Sequence, residues 1–293
     1  MQNKKDKLIK LVSYLSVITA TIIIIIKLYA FIVTDSLSLL SSLVDSILDI
    51  LVSIINLFAI RYALKPADQQ HRFGHGKAES LAALIQAAFI AGSALFIIIE
   101  AIQRLYNPIA IATPYIGIIV MILSTILTIL LIMVQSYVIR KTNSLVIKAD
   151  SLHYKVDLLV NMVVILSFII SYFYNNYLID IITASLIAIY IAKGSWKLGK
   201  NAFDHLMDKE FEEKDRQKII NIVLSNKDAL GMHDLRTRHS GIKSFIQLHL
   251  ELDGKLELEK AHQITEDIEN AILKKFPDSE VIIHQDPVVI ALD

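Results

Sequence analysis

Hydrophobic residues fill six long stretches of the chain, at about residues 8–33, 37–60, 79–103, 115–139, 146–170 and 178–200. At roughly 1.5 Å per residue, each is long enough as a helix to cross about 30 Å of hydrocarbon. After about residue 207 the pattern shortens and begins to alternate. Residues 210–226 read as an amphipathic helix, 233–239 and 244–252 as strands, 257–275 as a second helix and 280–285 as a last strand. In the 244–252 segment, Phe245, Gln247 and His249 fall on one face and Ile246, Leu248 and Leu250 on the other. Gly231 and the Asp253-Gly254 pair are expected to mark turns. The expected fold is an all-α, six-span transmembrane domain over residues 1–207, followed by a small cytoplasmic α/β domain over 208–293 in the order αββαβ.

Polar positions single out two of the spans. In the second, Ser38, Ser42, Asp45, Asp49, Ser53 and Asn56 recur at steps of three and four, so they share one helical face. In the fifth, His153, Asp157 and Asn161 recur at steps of four. Measured from the cytoplasmic boundary, Asp45 and Asp49 lie about 22 and 16 Å deep, and His153 and Asp157 about 10 and 16 Å. The two pairs therefore meet near mid-membrane. An ionised Asp at the centre of a span costs roughly 2.5 to 3.5 kcal/mol on insertion scales. Three of them with an imidazole at one depth point to a bound divalent cation. Taken singly, Ser42, Ser53 and Asn161 are ordinary interhelical hydrogen-bonding groups. Lys27 is expected to snorkel to the interface, and Glu100 and Arg104, four apart, to pair with each other. Each half of the chain carries three spans and one ligand pair, as in an inverted repeat, although no residue-level repeat is visible.

Composition sharpens this picture. Of 293 residues 54% are hydrophobic, with only 9 Gly and 5 Pro, which suits helical spans. The N-terminal apolar run is too long for a cleaved signal and lacks a small-residue cleavage site, so it reads as the first span. Eleven Lys and Arg fall in the connections on one side of the membrane and only Arg104 on the other, which places both termini in the cytoplasm and, in a bacterium, the chain in the inner membrane. Residues 209–293 hold 12 Lys/Arg against 17 Asp/Glu, a balance that argues against nucleic acid as a partner. Without cysteine there is no disulfide, thiolate site or thiol redox chemistry, so a metal must be held by His and carboxylates.

Two further groups have ligand character. Between spans two and three, Asp68, His71 and His75 are spaced three and four apart, enough for three zinc ligands with a position left for water. In the C-terminal part, His233, His249, His262, His284 and Asp286 can form one or two sites if the fold brings them together. His205 and His239 have no matching partner and are read as outside any site. An enzyme is disfavoured. An intramembrane aspartyl pair needs its acids on two helices, and the His-Glu-x-x-His pattern of a metalloprotease is absent. A metal sensor has no need of ligands at mid-bilayer, and a channel has no need of a closed four-ligand site.

The Asp45/Asp49 and His153/Asp157 pairs, the run Arg72-Phe73-Gly74-His75-Gly76-Lys77-Ala78-Glu79, Leu206-Met207-Asp208 and His284-Gln285-Asp286 together resemble the cation diffusion facilitator family, in its bacterial YiiP/FieF type of zinc, cadmium and iron transporter. The resemblance spans essentially the whole chain. It implies a homodimer with six spans per protomer and a cytoplasmic domain of metallochaperone-like fold. It places a transport site on Asp45, Asp49, His153 and Asp157, a second site on Asp68, His71 and His75, and a binuclear cytoplasmic site on His233, His249, His262, His284 and Asp286, with Gln285 a possible addition. It also implies a Lys77–Asp208 salt bridge that locks the dimer. The connection after span four, Arg140 to Ser144, lacks the histidine-rich insert of many eukaryotic zinc transporters.

The expected function is efflux of a divalent cation from the cytoplasm. One His among three Asp favours Zn²⁺, and also admits Cd²⁺, over Mg²⁺ and Ca²⁺, which want six or more oxygens, and it leaves Fe²⁺, Co²⁺ and Mn²⁺ open as further cargo. Carboxylates crowded in low dielectric hold protons until a metal displaces them, so metal leaves as protons enter. Alternating access, with spans one, two, four and five rocking against three and six, follows from the resemblance. No organic cofactor is expected. Zn²⁺ serves as cargo and as a regulatory ion on the tail.

Overall fold

The computed structural model describes residues 2–34, 37–106, 115–174 and 177–288, and within these helices some side chains, including Ser42, Asp45, Glu100, Arg104 and Asn161, lie outside the description. The backbone divides into two compact units, Met1–Phe203 and Asp204–Asp293.

The first unit is built from six long helices, α1 (Gln2–Thr34), α2 (Leu37–Ala63), α3 (Lys77–Tyr106), α4 (Tyr115–Thr142), α5 (Leu145–Tyr174) and α6 (Tyr177–Leu206), the last of which runs on into the second unit. Most exceed the apolar stretches by a turn or more, because backbone hydrogen bonding continues into the charged flanks. Among the described residues, Lys4–Val33, Lys77–Ile99 and Ile119–Thr142 are long and apolar enough to cross a membrane. Large apolar side chains such as Leu11, Phe58, Phe96, Leu130 and Trp196 lie exposed, Trp196 by 77%. In water that surface would aggregate, and against lipid it is the expected one.

Inside the bundle α1 packs on α2 and α4, α4 on α5, and α3 on α2 and α5. Small residues allow close approach where α3, α5 and α6 meet: Ala83, Ala87 and Ala94 pack with Ala149, Val156, Ile191 and Ala202. A Cβ built at Gly194 of α6 would lie 3.3 Å from Leu152 of α5. The α4–α5 connection is only two residues long, which requires Asn143 to adopt a positive φ of 57° as a left-handed cap. Lys27 departs from the snorkelling expectation. Its ammonium turns to α2 and donates to Ser46 Oγ at 2.7 Å, where Ser46 is buried.

The second unit contains α7 (Glu213–Leu224), β1 (Gly231–Ser240), β2 (Lys243–Asp253), α8 (Leu258–Lys275) and β3 (Ser279–Val288), the expected αββαβ order. The sheet runs β1-β2-β3, with β1 antiparallel and β3 parallel to β2. Both helices cover one face. There Ile246, Leu248, Leu250, Leu252 and Val281 of the sheet meet Ile219, Val223, Ile264, Ile268 and Ile272. At roughly 1.5 to 3 kcal/mol for each fully buried aliphatic side chain, this layer is the main source of the unit's stability. The other face carries His233, Arg236, Gln247, His249, His284 and Asp286, and so is the face on which polar chemistry can occur.

Candidate metal centres

In the helical unit, α2 and α5 each contribute one side of a cluster. His153 Nε2 lies 3.0 Å from Asp49 Oδ1 and 3.8 Å from Asp157 Oδ2. The three ligand atoms lie within 4.8 Å of one another, and all three residues are partly buried. Bonds of about 2.0 to 2.2 Å to a tetrahedral ion put its ligands roughly 3.4 Å apart, so these separations need only small adjustments. Asp45 stands one turn before Asp49 on α2, and its side chain lies outside the described residues, as does that of Asn161. The ring of Tyr154 meets His153 edge-on at 5.8 Å, and its hydroxyl lies 3.0 Å from Ser53 Oγ.

The loop joining α2 to α3 gathers Asp68, His71 and His75. Asp68 Oδ1 lies 3.4 Å from His71 Nδ1, and Asp68 Oδ2 lies 3.3 Å from His75 Nε2. The loop holds Asp68 in place, because its Oδ1 accepts the backbone N–H groups of Gln70 and His71 at 2.9 and 2.7 Å. The His71 N–H is the main cause of a carboxyl held below its ordinary value. His75 is only 6% exposed, packs edge-on to Tyr62 and leaves Nδ1 without a hydrogen-bond partner among the described residues. Gly74, at φ 80°, makes the turn that returns His75 to His71. At the head of α3, buried Glu79 accepts from Ser144 Oγ and from the Val146 N–H, which ties this loop to the start of α5.

On the open face of the sheet the strand register aligns three histidines. His233 is opposite His249 across the β1–β2 pair, and His249 is beside His284 across the β2–β3 pair. Their rings lie 5.0 and 4.7 Å apart. Asp286 sits between them. Its Oδ2 is 2.8 Å from His249 Nδ1 and 3.3 Å from His233 Nε2, and its Oδ1 is 3.3 Å from His284 Nε2. The hydrogen bond with His249 is the first cause of a lowered Asp286 carboxyl. One carboxylate oxygen thus faces His233 and His249, and the other faces His284. Glu251 Oε1 accepts from His233 Nδ1 at 2.9 Å and so aims the other ring nitrogen at Asp286.

Not every expected residue joins this group. His262 is exposed on α8, in the helical layer, and makes none of these contacts among the described residues. Gln285 points into the same layer, where its Nε2 donates to Thr265 Oγ1 at 2.8 Å. Strand alternation explains this, since a residue between His284 and Asp286 must face the other way. Gly231 is a strand residue paired with Glu251 rather than a turn, and a Cβ there would lie 2.3 Å from Glu251 Oε2. His205 and His239 stack on each other at 5.0 Å, and His239 also stacks on Phe211 at 4.4 Å, away from the row. Burial is the main cause of a His239 value pushed down to about 4.

Some site-shaping residues did not stand out in the sequence. Glu251 and Tyr154 look like ordinary strand and helix positions. Asp150 had a usable signal, being a carboxylate one turn before His153 in a hydrophobic helix, where an ion is costly.

Residues 13–207 match the model of the cation efflux transmembrane domain, and residues 211–288 that of the cation efflux protein cytoplasmic domain. The chain is 48% identical to Protein p34 of Rickettsia prowazekii, covering 98% of this chain and 95% of that one. It is 47% identical to the cation-efflux pump FieF of Shewanella oneidensis, covering 97% and 96%. Among solved structures it aligns with the metal-bound C-terminal domain of a CzcD transporter from Thermotoga maritima, at 28% identity and a TM-score of 0.26, over 28% of this chain and all of that one. Matches of this extent, over both units and nearly every residue, show that the chain belongs to the cation diffusion facilitator family of membrane transporters, in its YiiP/FieF-type branch.

Proposed function

We propose that this cation efflux protein exports Zn²⁺, and with lower preference Cd²⁺ and Fe²⁺, in exchange for protons. The single observation that carries the reading is the approach of Asp49, His153 and Asp157 from two hydrophobic helices to separations a small tetrahedral ion can span. Asp45, one turn along α2, is the fourth ligand. The donor set has one borderline nitrogen and hard oxygens in a number too small for Mg²⁺ or Ca²⁺.

Coupling to protons follows from the same atoms. His153 lies between two carboxylates, so protons and a metal ion compete for the same ligand atoms. A dication must displace the protons to gain its ligands. If the loaded site opens inward and the emptied site outward, metal leaves as protons enter. All six helices cross the inner membrane in this reading, with both termini in the cytoplasm. Two copies form the working dimer, a reading supported by the match to a cytoplasmic domain whose model is a dimer module.

The loop group of Asp68, His71 and His75 is a second metal site. The row of His233, His249 and His284 with Asp286 is a binuclear regulatory site. His262 lies in the helical layer, so in this reading it reaches a row from a second copy. Metal there shifts the transporter only through a difference in affinity between its two conformations.

The test is ΔpH-driven Zn²⁺ uptake into inside-out vesicles. Asp49→Ala and Asp157→Ala should each reduce it to background while the dimer survives detergent extraction. Normal flux in either variant defeats the assignment.

A further inference from the structure

Asp150 lies on α5, one turn before His153, and is 2% exposed. Its two oxygens accept hydrogen bonds from three other helices: from Ser16 Oγ of α1 at 2.7 Å, from Asn56 Nδ2 of α2 at 3.0 Å and from Gln135 Nε2 of α4 at 2.7 Å. Gln135 also donates to Ser16 Oγ at 3.2 Å, which closes the network. With its oxygens occupied by donors, Asp150 is not placed to serve as a metal ligand itself.

Its position relative to the cluster of Asp49, His153 and Asp157 gives it another use. α2 and α5 meet through three polar rungs, Asp49 with His153, Ser53 with Tyr154 and Asn56 with Asp150, each 3.0 Å long. Asn56 is seven residues from Asp49, and Asp150 is seven from Asp157, so each pair lies on one helical face about 10.5 Å apart. The middle and last rungs share an anchor in α1. Tyr154 donates to the Ser16 backbone carbonyl at 3.4 Å, while Ser16 Oγ reaches Asp150. A slip of α5 against α2 would have to break all three rungs together. Hydrogen bonds are stronger in low dielectric than in water, and in a bundle greased by apolar side chains a connected set of them specifies one register where packing alone tolerates several.

We propose that Asp150 is a positioning residue for cation transport: by binding α1, α2 and α4 to α5, it sets the register that holds His153 and Asp157 opposite Asp49. This rests on the reading of that cluster as the transport site. The residue acts through helix placement and touches no cargo.

The experiment measures Zn²⁺ transport kinetics in proteoliposomes with D150N and with the double variant D150N/Q135E. Asn keeps the size but turns an N–H₂ toward donors. D150N should raise the KM for Zn²⁺ about tenfold, with a smaller change in kcat, while its thermal melting and dimer fraction stay close to wild type. The double variant returns a donor and an acceptor to opposite ends of the same contact, and should bring KM back to within about threefold of wild type. A wild-type KM in D150N overturns the proposal, and so does a loss confined to yield or melting. Equal impairment of the single and double variants also overturns it, since the charge at position 150 would then be what matters. If D150N does not assemble, S16A removes one of the donors and should raise KM about threefold; an unchanged KM there is the overturning result. Failure of the transport-site reading shows separately, as normal flux in Asp49→Ala.

Discussion

A metal ligand is only as selective as its chemistry and only as strong as the groups that aim it. His153 illustrates the first point. It is the one nitrogen donor of its group, and its Nε2 faces both Asp49 and Asp157. Replacing it with a carboxylate makes the set all oxygen, which suits harder ions. His153→Asp should therefore lower the ratio of Zn²⁺ to Mn²⁺ flux about tenfold in proteoliposomes. An unchanged ratio would remove the selectivity argument. The second point is clearest on the sheet, where Glu251 fixes the orientation of His233 and Gly231 leaves room for the Glu251 side chain. Spacing along the chain singled out residues that the fold brings together in all three groups, though it also included His262, which stays apart. It could not identify Glu251, Tyr154 or Asp150, because an orienting residue has no spacing of its own to follow.

At the scale of elements, the C-terminal row depends on one irregularity. His233 and Arg236 are an odd number of positions apart, so regular pleating would place them on opposite faces. They share the open face because β1 carries a bulge there, with Asp234 and Leu235 opposite Leu248 alone and Asp234 at φ 52°. Asp tolerates that left-handed conformation, and a β-branched residue does not, at a cost of roughly 1 to 2 kcal/mol. Asp234→Val should favour regular pairing, turn His233 toward the helices and weaken Zn²⁺ binding to the row about tenfold. Deleting Asp234 instead removes the extra residue and keeps His233 and Arg236 in phase, so that variant should bind as wild type. Equilibrium dialysis of both variants, with the transport ligands replaced by Ala, checks the pair of outcomes. The alternation in β2 was plain from its apolar positions, whereas the bulge in β1 was not, since nothing in Met232-His233-Asp234-Leu235 marks which residue is extra.

At the scale of the molecule, the second unit carries its own response to acid. In the second unit the stack of His205, His239 and Phe211 holds His239 uncharged, with its value lowered from 6.5 to about 4 by burial first and by His205 next. The unfolded chain takes up this proton near pH 6.5 and the folded chain only near 4. Stability from this source is therefore complete above 6.5, is lost as pH falls through that window and is fully lost below about 4. The lowered carboxyl of Asp286 belongs to a separate range, below its ordinary 3.8. His239→Phe keeps the stack and removes the titration. Hydrogen exchange of the C-terminal strands in the detergent-solubilised protein, between pH 7 and 4, should show a shallower loss of protection in the variant than in wild type. Equal slopes would show that this stack does not set the acid response.

The long apolar helices, the αββαβ tail and the candidate ligand residues were legible in the sequence alone, because hydrophobic length, period and ligand spacing are local properties of a chain. Its apolar runs also made a membrane transporter the simplest class, which the family matches bear out. Only the tertiary structure decided which ligands meet. The histidine row depends on strand register, the separation of His262 and Gln285 from it depends on which layer each faces, and the Asp150 network depends on the α1–α2 pair meeting the α4–α5 pair across a wide gap in sequence. Such meetings are set by side-chain packing between distant segments, and a pattern read along one segment carries no information about what lies across from it.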